Sequence, residues 1–253
     1  MEWKDDSMEF FIMVLLITII MAIAAFVKGI IGFGSSLIAI PLISAFVLAP
    51  GDTRAIVVTI NLMLNLYLLI RADTLNLDGI KTFLPLIISV FIASLISGFF
   101  LTRFDSDAFN IVLGILLILT ALNKLFKLSF IIPHPKRYFI PVGLLGGALN
   151  TLVGAGSVPV LIFLGNTDLK KDDFRTTIIL FLLVLNIGSL GSFMINGAYD
   201  YTLLLIALGI MPVLLIASNL GIASKNKIND QIFQTIISLF LLFIGLNTIF
   251  GWL

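Results

Sequence analysis

The sequence predicts an all-α polytopic membrane protein made of two inverted-topology repeats. Each repeat has a Gly-rich broken or re-entrant hairpin followed by three transmembrane helices. The chain of 253 residues is 60% hydrophobic and 11% charged, which is more apolar surface than a soluble domain of this size can cover. Apolar stretches longer than ~18 residues recur from end to end. Two Gly-rich runs interrupt them, one in each half of the chain.

Short loops with turn or charge signals divide the chain into ten apolar segments. Because segment 157–165 is too short to cross ~30 Å of hydrocarbon, residues 139–165 are expected to form a re-entrant hairpin. The pair 10–49 forms either a deep hairpin or two full crossings. Residues 1–128 and 129–253 are the expected repeats, within one integral membrane domain and with no soluble domain. The segments are 10–27, 33–49, 55–70, 82–102, 108–126, 139–153, 157–165, 176–195, 201–223 and 231–252.

Lysine and arginine predict the orientation through the positive-inside rule. If both hairpins return the chain and every other segment crosses, eleven of the 15 basic residues lie on the inner side. Both termini then lie outside, and the two halves start from opposite sides of the membrane. The outer residues are Lys4, Arg54 and Arg103. The inner ones are Arg71, Lys81, Lys124, Lys127, Lys136, Arg137, Lys170, Lys171, Arg175, Lys225 and Lys227.

The two halves align weakly, but their matches occur in the same order. This order and the opposite starting sides favour an inverted repeat. The matches are Gly32-Phe33-Gly34-Ser35 with Gly154-Ala155-Gly156-Ser157, the eleven-residue spacing of Arg54 and Asn65 with that of Arg175 and Asn186, and Leu122-Asn123 and Phe126 with Leu246-Asn247 and Phe250.

The two Gly-rich runs place polar groups inside apolar sequence. The first extends from Lys28 to Ser36 and is followed by Pro41, and the second extends from Gly146 to Pro159. A membrane-spanning chain has little reason to break its helix and bury polar groups unless something binds there. Packing of small residues between helices is the alternative explanation of each run.

The distribution of charge indicates the sign of the substrate. All 14 acidic residues fall in loops or at segment ends, so no carboxylate lies deep in the bilayer to hold a cation or relay a proton. The interior offers hydrogen-bond donors instead, and helices that begin at a glycine break point free N–H groups and a positive dipole end at it. These features favour an anion.

We therefore expect an anion site between residues 32–36 and 150–157. For Lys28, extension to a membrane interface is the alternative to a place in the site. For Arg54 and Arg175, helix-end pairing or anchoring is favoured over contact with the substrate. For Asn61, Asn65 and Asn186, interhelical hydrogen bonding is the alternative to lining the cavity. The expected substrate-binding residues are Lys28, Gly32, Gly34, Ser35, Ser36, Asn65, Asn150, Thr151, Gly154, Gly156, Ser157 and Asn186.

Other classes of function fit the sequence less well. An enzyme is not expected, since the chain has no Cys and a lone His134 cannot form a metal site. No catalytic residue, metal or cofactor is therefore predicted. A channel would need a continuous pore, whereas two hairpins closing on one site suit alternating access. A nucleic-acid partner is not expected either, because the sequence contains no basic arm.

At the two Gly-rich runs the chain resembles the TauE/SafE family of membrane permeases, the sulfite exporters. Lys28, Gly29, Gly32, Gly34 and Pro41-Leu42 fit the first copy of the family pattern. Gly147, Gly154, Gly156 and Ser157 fit the second, in which Pro159 comes earlier than the pattern has it. Ser35 and Ser157 replace the third glycine of each run.

The resemblance implies a permease for small sulfur-containing anions such as sulfite or organosulfonates. An anion channel, or a transporter of another small organic anion, is the alternative. The expected location is the inner (plasma) membrane, with the lipid bilayer and a small anion as partners. A proton could travel with the anion as its conjugate acid. The substrate, the direction of transport, and the choice between a monomer and a homodimer stay open at this point.

Overall fold

The structure is a computed structural model that describes residues 7–71, 77–103, 105–126, 132, 134–167, 171–224, 227 and 229–250. All the secondary structure in these ranges is helical. The described part contains ten α-helices: α1 (Ser7–Ile31), α2 (Ser35–Phe46), α3 (Pro50–Ile70), α4 (Leu77–Ser97), α5 (Ser106–Leu125), α6 (Phe139–Val153), α7 (Ser157–Gly165), α8 (Lys171–Ile195), α9 (Tyr201–Ser224) and α10 (Asp230–Phe250). Lys4, Lys127, Lys170, Lys225 and the side chains of Lys171, Arg103 and Arg175 lie outside the described part.

Seven of the described helices are long and apolar enough to cross a membrane. Their outward faces expose Leu, Ile and Phe side chains, such as Phe11, Ile195 and Leu205, each more than half exposed. Apolar side chains turned outward along the helices suit a lipid solvent, where hydrocarbon surrounds the protein. These observations make the chain a multi-pass membrane protein. The seven helices are Ser7–Ile31, Pro50–Ile70, Lys81–Leu101, Ser106–Leu125, Thr177–Ile195, Tyr201–Ser224 and Gln231–Phe250.

The other three helices are short. At 1.5 Å per residue, α2 spans about 18 Å, α6 about 22 Å and α7 about 14 Å, against ~30 Å of hydrocarbon. In the chain, α2 follows α1 after a three-residue break, and α7 follows α6 after another. The two helices of each pair pack against each other. The first polar break therefore lies between α1 and α2, and the second lies between α6 and α7.

Local sequence explains where the longer helices begin. Pro50 opens α3, a position where its missing N–H costs no hydrogen bond. Asp105 caps α5, with its side chain accepting a hydrogen bond from the Ala108 N–H at 2.8 Å.

Helix packing follows a regular scheme. α1 packs on α9 and α4 packs on α6, while α3 meets α8 and α5 meets α10. Glycines bring the first two pairs close together: a Cβ at Gly29 would lie 2.2 Å from the Ser218 carbonyl oxygen on α9, and one at Gly147 would lie 2.4 Å from the Val90 carbonyl oxygen on α4. Each helix of the first half can be exchanged for the helix in the same position of the second half, so that α1 is replaced by α6 and α4 by α9. The α1–α9 pair then becomes the α6–α4 pair, and the α3–α8 and α5–α10 pairs stay the same.

Candidate functional site

The first break is a left-handed turn. Gly32 has φ +94° and Gly34 has φ +87°, a region of backbone space that glycine adopts without a steric penalty. α2 then begins at Ser35, and no side chain caps its first turn. The first N–H groups of a helix have no partner within the helix. This end of α2 therefore offers backbone donors and a positive dipole end at the break.

The second break has a related geometry. Gly154, with φ +73°, ends α6, and α7 begins at Ser157, again without a side-chain cap. Gly156 lies against the last turns of α6, where a Cβ would come within 2.0 Å of the Gly146 carbonyl oxygen. A Cβ at Gly154 would lie 2.1 Å from the end of the Ile40 side chain on α2. The second break thus touches the helix that follows the first.

Lys28 lies in the last turn of α1 and is only 2% exposed. Its Nζ donates hydrogen bonds to Asn65 Oδ1 at 2.7 Å and to Asn61 Oδ1 at 3.1 Å. The ammonium group therefore points into the protein and does not extend to an interface. Asn61 lies 11 residues after the start of α3, about 16 Å along that helix, so Lys28 meets α3 near its middle.

Asn61 connects the lysine to the start of α2. Its Oδ1 also accepts a hydrogen bond from Ser35 Oγ at 2.6 Å, and its Nδ2 donates to Ser36 Oγ at 3.0 Å. Asn61 is not among the substrate-binding residues that the sequence predicts. The signal that could have placed it there is its spacing, because Asn61 and Asn65 are four residues apart and share one helix face.

In the second half, Asn150 takes the central position. Its Nδ2 donates to Ser189 Oγ at 2.9 Å and approaches Asn186 Oδ1 at 3.5 Å, which ties α6 to α8. Thr151 is fully buried and donates to the Ser94 carbonyl oxygen of α4 at 2.9 Å. Its hydroxyl also lies 2.9 Å from Ser189 Oγ, so Thr151 ties α6 to both α4 and α8.

A small polar pocket lies between the two breaks, with free space for about one water molecule. The structure brings eight of the twelve predicted residues together around it. The other four, Gly32, Thr151, Gly154 and Gly156, are not among its lining residues, and Phe33, Asn61, Leu182 and Leu185 are additions. The lining residues are Lys28, Phe33, Gly34, Ser35, Ser36, Asn61, Asn65, Asn150, Ser157, Leu182, Leu185 and Asn186.

Corresponding positions of the two halves face each other in this pocket. The register that aligns Gly32 with Gly154 also aligns Lys28 with Asn150 and Ser35 with Ser157. Asn65 and Asn186 are the third pair of polar residues from the alignment of the halves. Only the first of these pairs differs in charge, since the first half contributes Lys28 where the second contributes Asn150.

The chemistry of the pocket suits an anion. None of the described residues that line it is Asp or Glu, so no carboxylate in its wall balances Lys28. The Nδ2 group of Asn65 is buried and has no hydrogen-bond partner among the described residues. A buried donor left unpaired costs ~1–3 kcal/mol, and a bound oxyanion would satisfy it. Within the described residues, no group of three or more His, Asp or Glu could hold a metal ion.

Arg54 is not among the residues that line the pocket. It is 7% exposed, its Nη1 donates to the Leu152 carbonyl oxygen in the last turn of α6, and its guanidinium lies 5.4 Å from the centre of the Phe109 ring. A cation at a helix C-terminus is favourable because the free carbonyls carry partial negative charge. Arg54 thus joins the first half of the chain to the end of α6 in the second half.

A comparison with known families gives a match over most of the chain. The family model described as "Sulfite exporter TauE/SafE" matches residues 17–248, a range that includes both breaks and every residue of the pocket. Neither a curated protein nor a solved structure matches the chain. The family match spans most of the 253 residues, and the helices around the pocket are those of a membrane protein. The chain therefore belongs to the TauE/SafE family of membrane transporters.

Proposed function

We propose that the protein carries a small sulfur oxyanion, sulfite or an organosulfonate, across the cell membrane, and that the anion binds in the polar pocket between the two helix breaks. The observation that carries the proposal is the buried Lys28, which has only amide partners in a wall without carboxylates. A charge buried in this way is costly unless something pairs with it. The description of the matching family, sulfite exporter, agrees with a sulfur oxyanion.

Three kinds of donor would hold the anion. Lys28 supplies the positive charge, the Asn65 Nδ2 group supplies an unused amide donor, and the uncapped starts of α2 and α7 supply backbone N–H groups. Helix N-termini favour oxyanions through these N–H groups and the helix dipole. Donors would reach the anion from both halves of the chain.

Alternating access would come from one repeat rocking against the other around this pocket. In this proposal residues 1–128 and 129–253 are inverted repeats, α1–α2 and α6–α7 are their hairpins, and both termini lie outside. The helix packing supports it, because exchanging the halves converts the α1–α9 pair into the α6–α4 pair. The small pocket also supports it, since its walls must separate before a molecule as large as sulfite can enter.

The first test is thermal unfolding of the purified protein in detergent. A ligand that binds only the folded state raises the unfolding temperature, by the equivalent of ~2.7 kcal/mol at a concentration of 100 times its Kd. We expect sulfite or methanesulfonate to stabilise the protein more than chloride does at equal ionic strength. Because the chain has no Cys, sulfite cannot act by cleaving a disulfide. Stabilisation by cations alone would contradict the proposal.

The second test is flux in proteoliposomes. A carrier saturates with substrate and exchanges labelled for unlabelled anion across the membrane. Flux far above the rates of carriers, with no saturation, would show that the protein is an anion channel and not a carrier. Preference for a carboxylate over every sulfur oxyanion would keep the mechanism and change the substrate.

A further inference from the structure

A second pocket lies beside the polar one, between α2, α5 and α7. Five of the eight described residues that line it are apolar, and Lys124 is the one charged residue among the eight. The lining residues are Phe33, Leu37, Thr120, Asn123, Lys124, Val158, Leu161 and Ile162. Lys124 lies in the last turn of α5 and is half-buried. Neither Lys124 nor Leu37 lines the polar pocket. This space, called here the Lys124 pocket, has more room than the polar pocket.

Phe33 belongs to the walls of both pockets. It is half-buried, and its side chain packs against the hydrophobic cluster around Phe163, Phe181 and Leu182 in the second half of the chain. Its backbone lies between Gly32 and Gly34, the two glycines with positive φ, and no atom lies within 4 Å of where a Cβ would stand on either glycine. The ring therefore separates the two pockets, and the backbone that carries it has room to turn.

Lys124 holds the Phe33 ring from the side of the second pocket. Its Nζ lies 5.3 Å from the centre of that ring, within the range of a cation–π interaction. An anion that pairs with Lys124 would neutralise the ammonium group and weaken its attraction to the ring. Arrival of the anion and release of the ring would then be linked.

The second break carries no ring at the position that corresponds to Phe33. The residue aligned with Phe33 is Ala155, which is fully buried and has no side chain beyond Cβ. Because only one of the two breaks carries a large ring, the turn itself does not require one.

We infer that the Lys124 pocket is a second, transient site for the transported anion, and that Phe33 is the gate between it and the polar pocket. This inference rests on the proposed function. It assigns Lys124 the role of drawing the anion to the pocket and releasing Phe33, and it places the route to the polar pocket between α2, α5 and α7.

The test uses the absence of native Cys. A Ser157→Cys variant places one thiol in the wall of the polar pocket, and its rate of reaction with a small uncharged methanethiosulfonate reagent is measured in purified protein. We expect Phe33→Ala to raise this rate by about tenfold or more, the effect of shifting the closed-to-open equilibrium by ~1.4 kcal/mol. Phe33→Trp keeps a ring and is expected to leave the rate near that of the parent.

The matched control is Leu37→Ala. Leu37 lines the Lys124 pocket but not the polar pocket, so its truncation enlarges the former without joining the two. An equal rise in the rate for Leu37→Ala, or no rise for Phe33→Ala, would overturn the gate.

Lys124 is tested by Lys124→Met and Lys124→Arg. We expect Lys124→Met to raise the KM for anion transport several-fold while the anion still stabilises the purified protein at the polar pocket, and Lys124→Arg to restore the KM. An unchanged KM in Lys124→Met would overturn the second site.

The same reagent separates this inference from the proposed function. Methanesulfonate is used here because sulfite would destroy the reagent and cleave the mixed disulfide that it forms. If methanesulfonate fails to protect the thiol of the Ser157→Cys variant, the polar pocket is not the anion site and the proposed function fails. If the anion protects the thiol but Phe33→Ala leaves its rate unchanged, the proposed function stands and the gate fails.

Discussion

Lys28 is the residue on which the candidate site depends. Its ammonium group is buried, donates to two asparagine oxygens and has no carboxylate among the described residues of the pocket wall. Two neutral acceptors compensate the lost hydration of a charge only in part. An anion in the pocket would complete the compensation.

Replacing Lys28 tests this role directly. We expect Lys28→Met to lower anion affinity by ~10–100-fold, because a hydrogen bond to a charged group contributes ~1.5–3 kcal/mol. Without anion, the unfolding temperature should change little, since the lost hydrogen bonds are offset by removal of a buried charge. Thermal unfolding with and without sulfite measures both effects, with the exposed Lys136→Met as control. An unchanged response to sulfite in Lys28→Met would remove the lysine from the site.

Asn65 allows a change of charge without a change of shape. In Asn65→Asp a carboxylate would stand 2.7 Å from the lysine Nζ and supply the missing counter-charge within the protein. We expect the affinity for the anion, measured by thermal unfolding at increasing anion concentration, to fall by about tenfold or more. The unfolding temperature without anion should stay the same.

Asn186→Asp is the matched comparison. The described structure gives Asn186 an amide neighbour, Asn150, in place of a cation, so this variant should lose stability as well as anion binding. Equal behaviour of the two variants in thermal unfolding would contradict the asymmetry of the pocket.

At the scale of the helices, glycine sets how closely α1 approaches α9 and α6 approaches α4. At Gly29 the nearest obstacle is the Ser218 carbonyl oxygen, and at Gly147 it is the Val90 carbonyl oxygen, both backbone atoms of the neighbouring helix. Backbone atoms cannot rotate away as a side chain can. These two crossings therefore fix the broken helices against their neighbours and position the polar pocket.

The crossing of α1 and α9 is tested by adding one methyl group. We expect Gly29→Ala to destabilise the protein by ~1–3 kcal/mol, the usual cost of overpacking. Gly209→Ala on α9 meets nothing within 4 Å and should instead stabilise the helix by ~0.5–1 kcal/mol. The readout is the unfolding temperature of each variant in the same detergent. If Gly29→Ala were as stable as Gly209→Ala, the close approach of these helices would be wrong.

At the scale of the whole molecule, the chain joins its halves by contacts that each half supplies to the other. Arg54 of the first half holds the end of α6, and Phe33 packs against a hydrophobic cluster in which most residues belong to the second half. In the proposed mechanism these contacts must change when one half rocks against the other.

The orientation of the molecule is tested by single cysteines in the Cys-free chain. We expect Ser106→Cys, at the start of α5 on the predicted outer side, to react with an impermeant thiol reagent in intact cells. Lys136→Cys, in the predicted inner loop before α6, should react only after the membrane is opened. Both positions are exposed, so access depends on sidedness. The opposite pattern would invert the proposed topology, and reaction of both in intact cells would contradict the proposed crossing by α5, the helix that separates the two positions.

Much of the helical layout is readable from composition and short-range pattern. Long apolar runs predict helices, and glycines followed by serine predict where those helices break, because these effects act within a few residues. The structure ends α1 and α6 at these glycines. The presence of Lys28 within an apolar run, and the lack of carboxylates there, likewise follow from the order of residues alone.

The partners of these residues depend on packing across the chain. Helical spacing puts Asn61 and Asn65 on one face, yet nothing local says that this face meets Lys28 or that Thr151 donates to Ser94. The place of Phe33 between two pockets and the contact of Arg54 with α6 likewise depend on packing between helices that are far apart in the chain. Local sequence sets helix boundaries and charge, whereas contacts between residues far apart in the chain arise only when all the helices pack together.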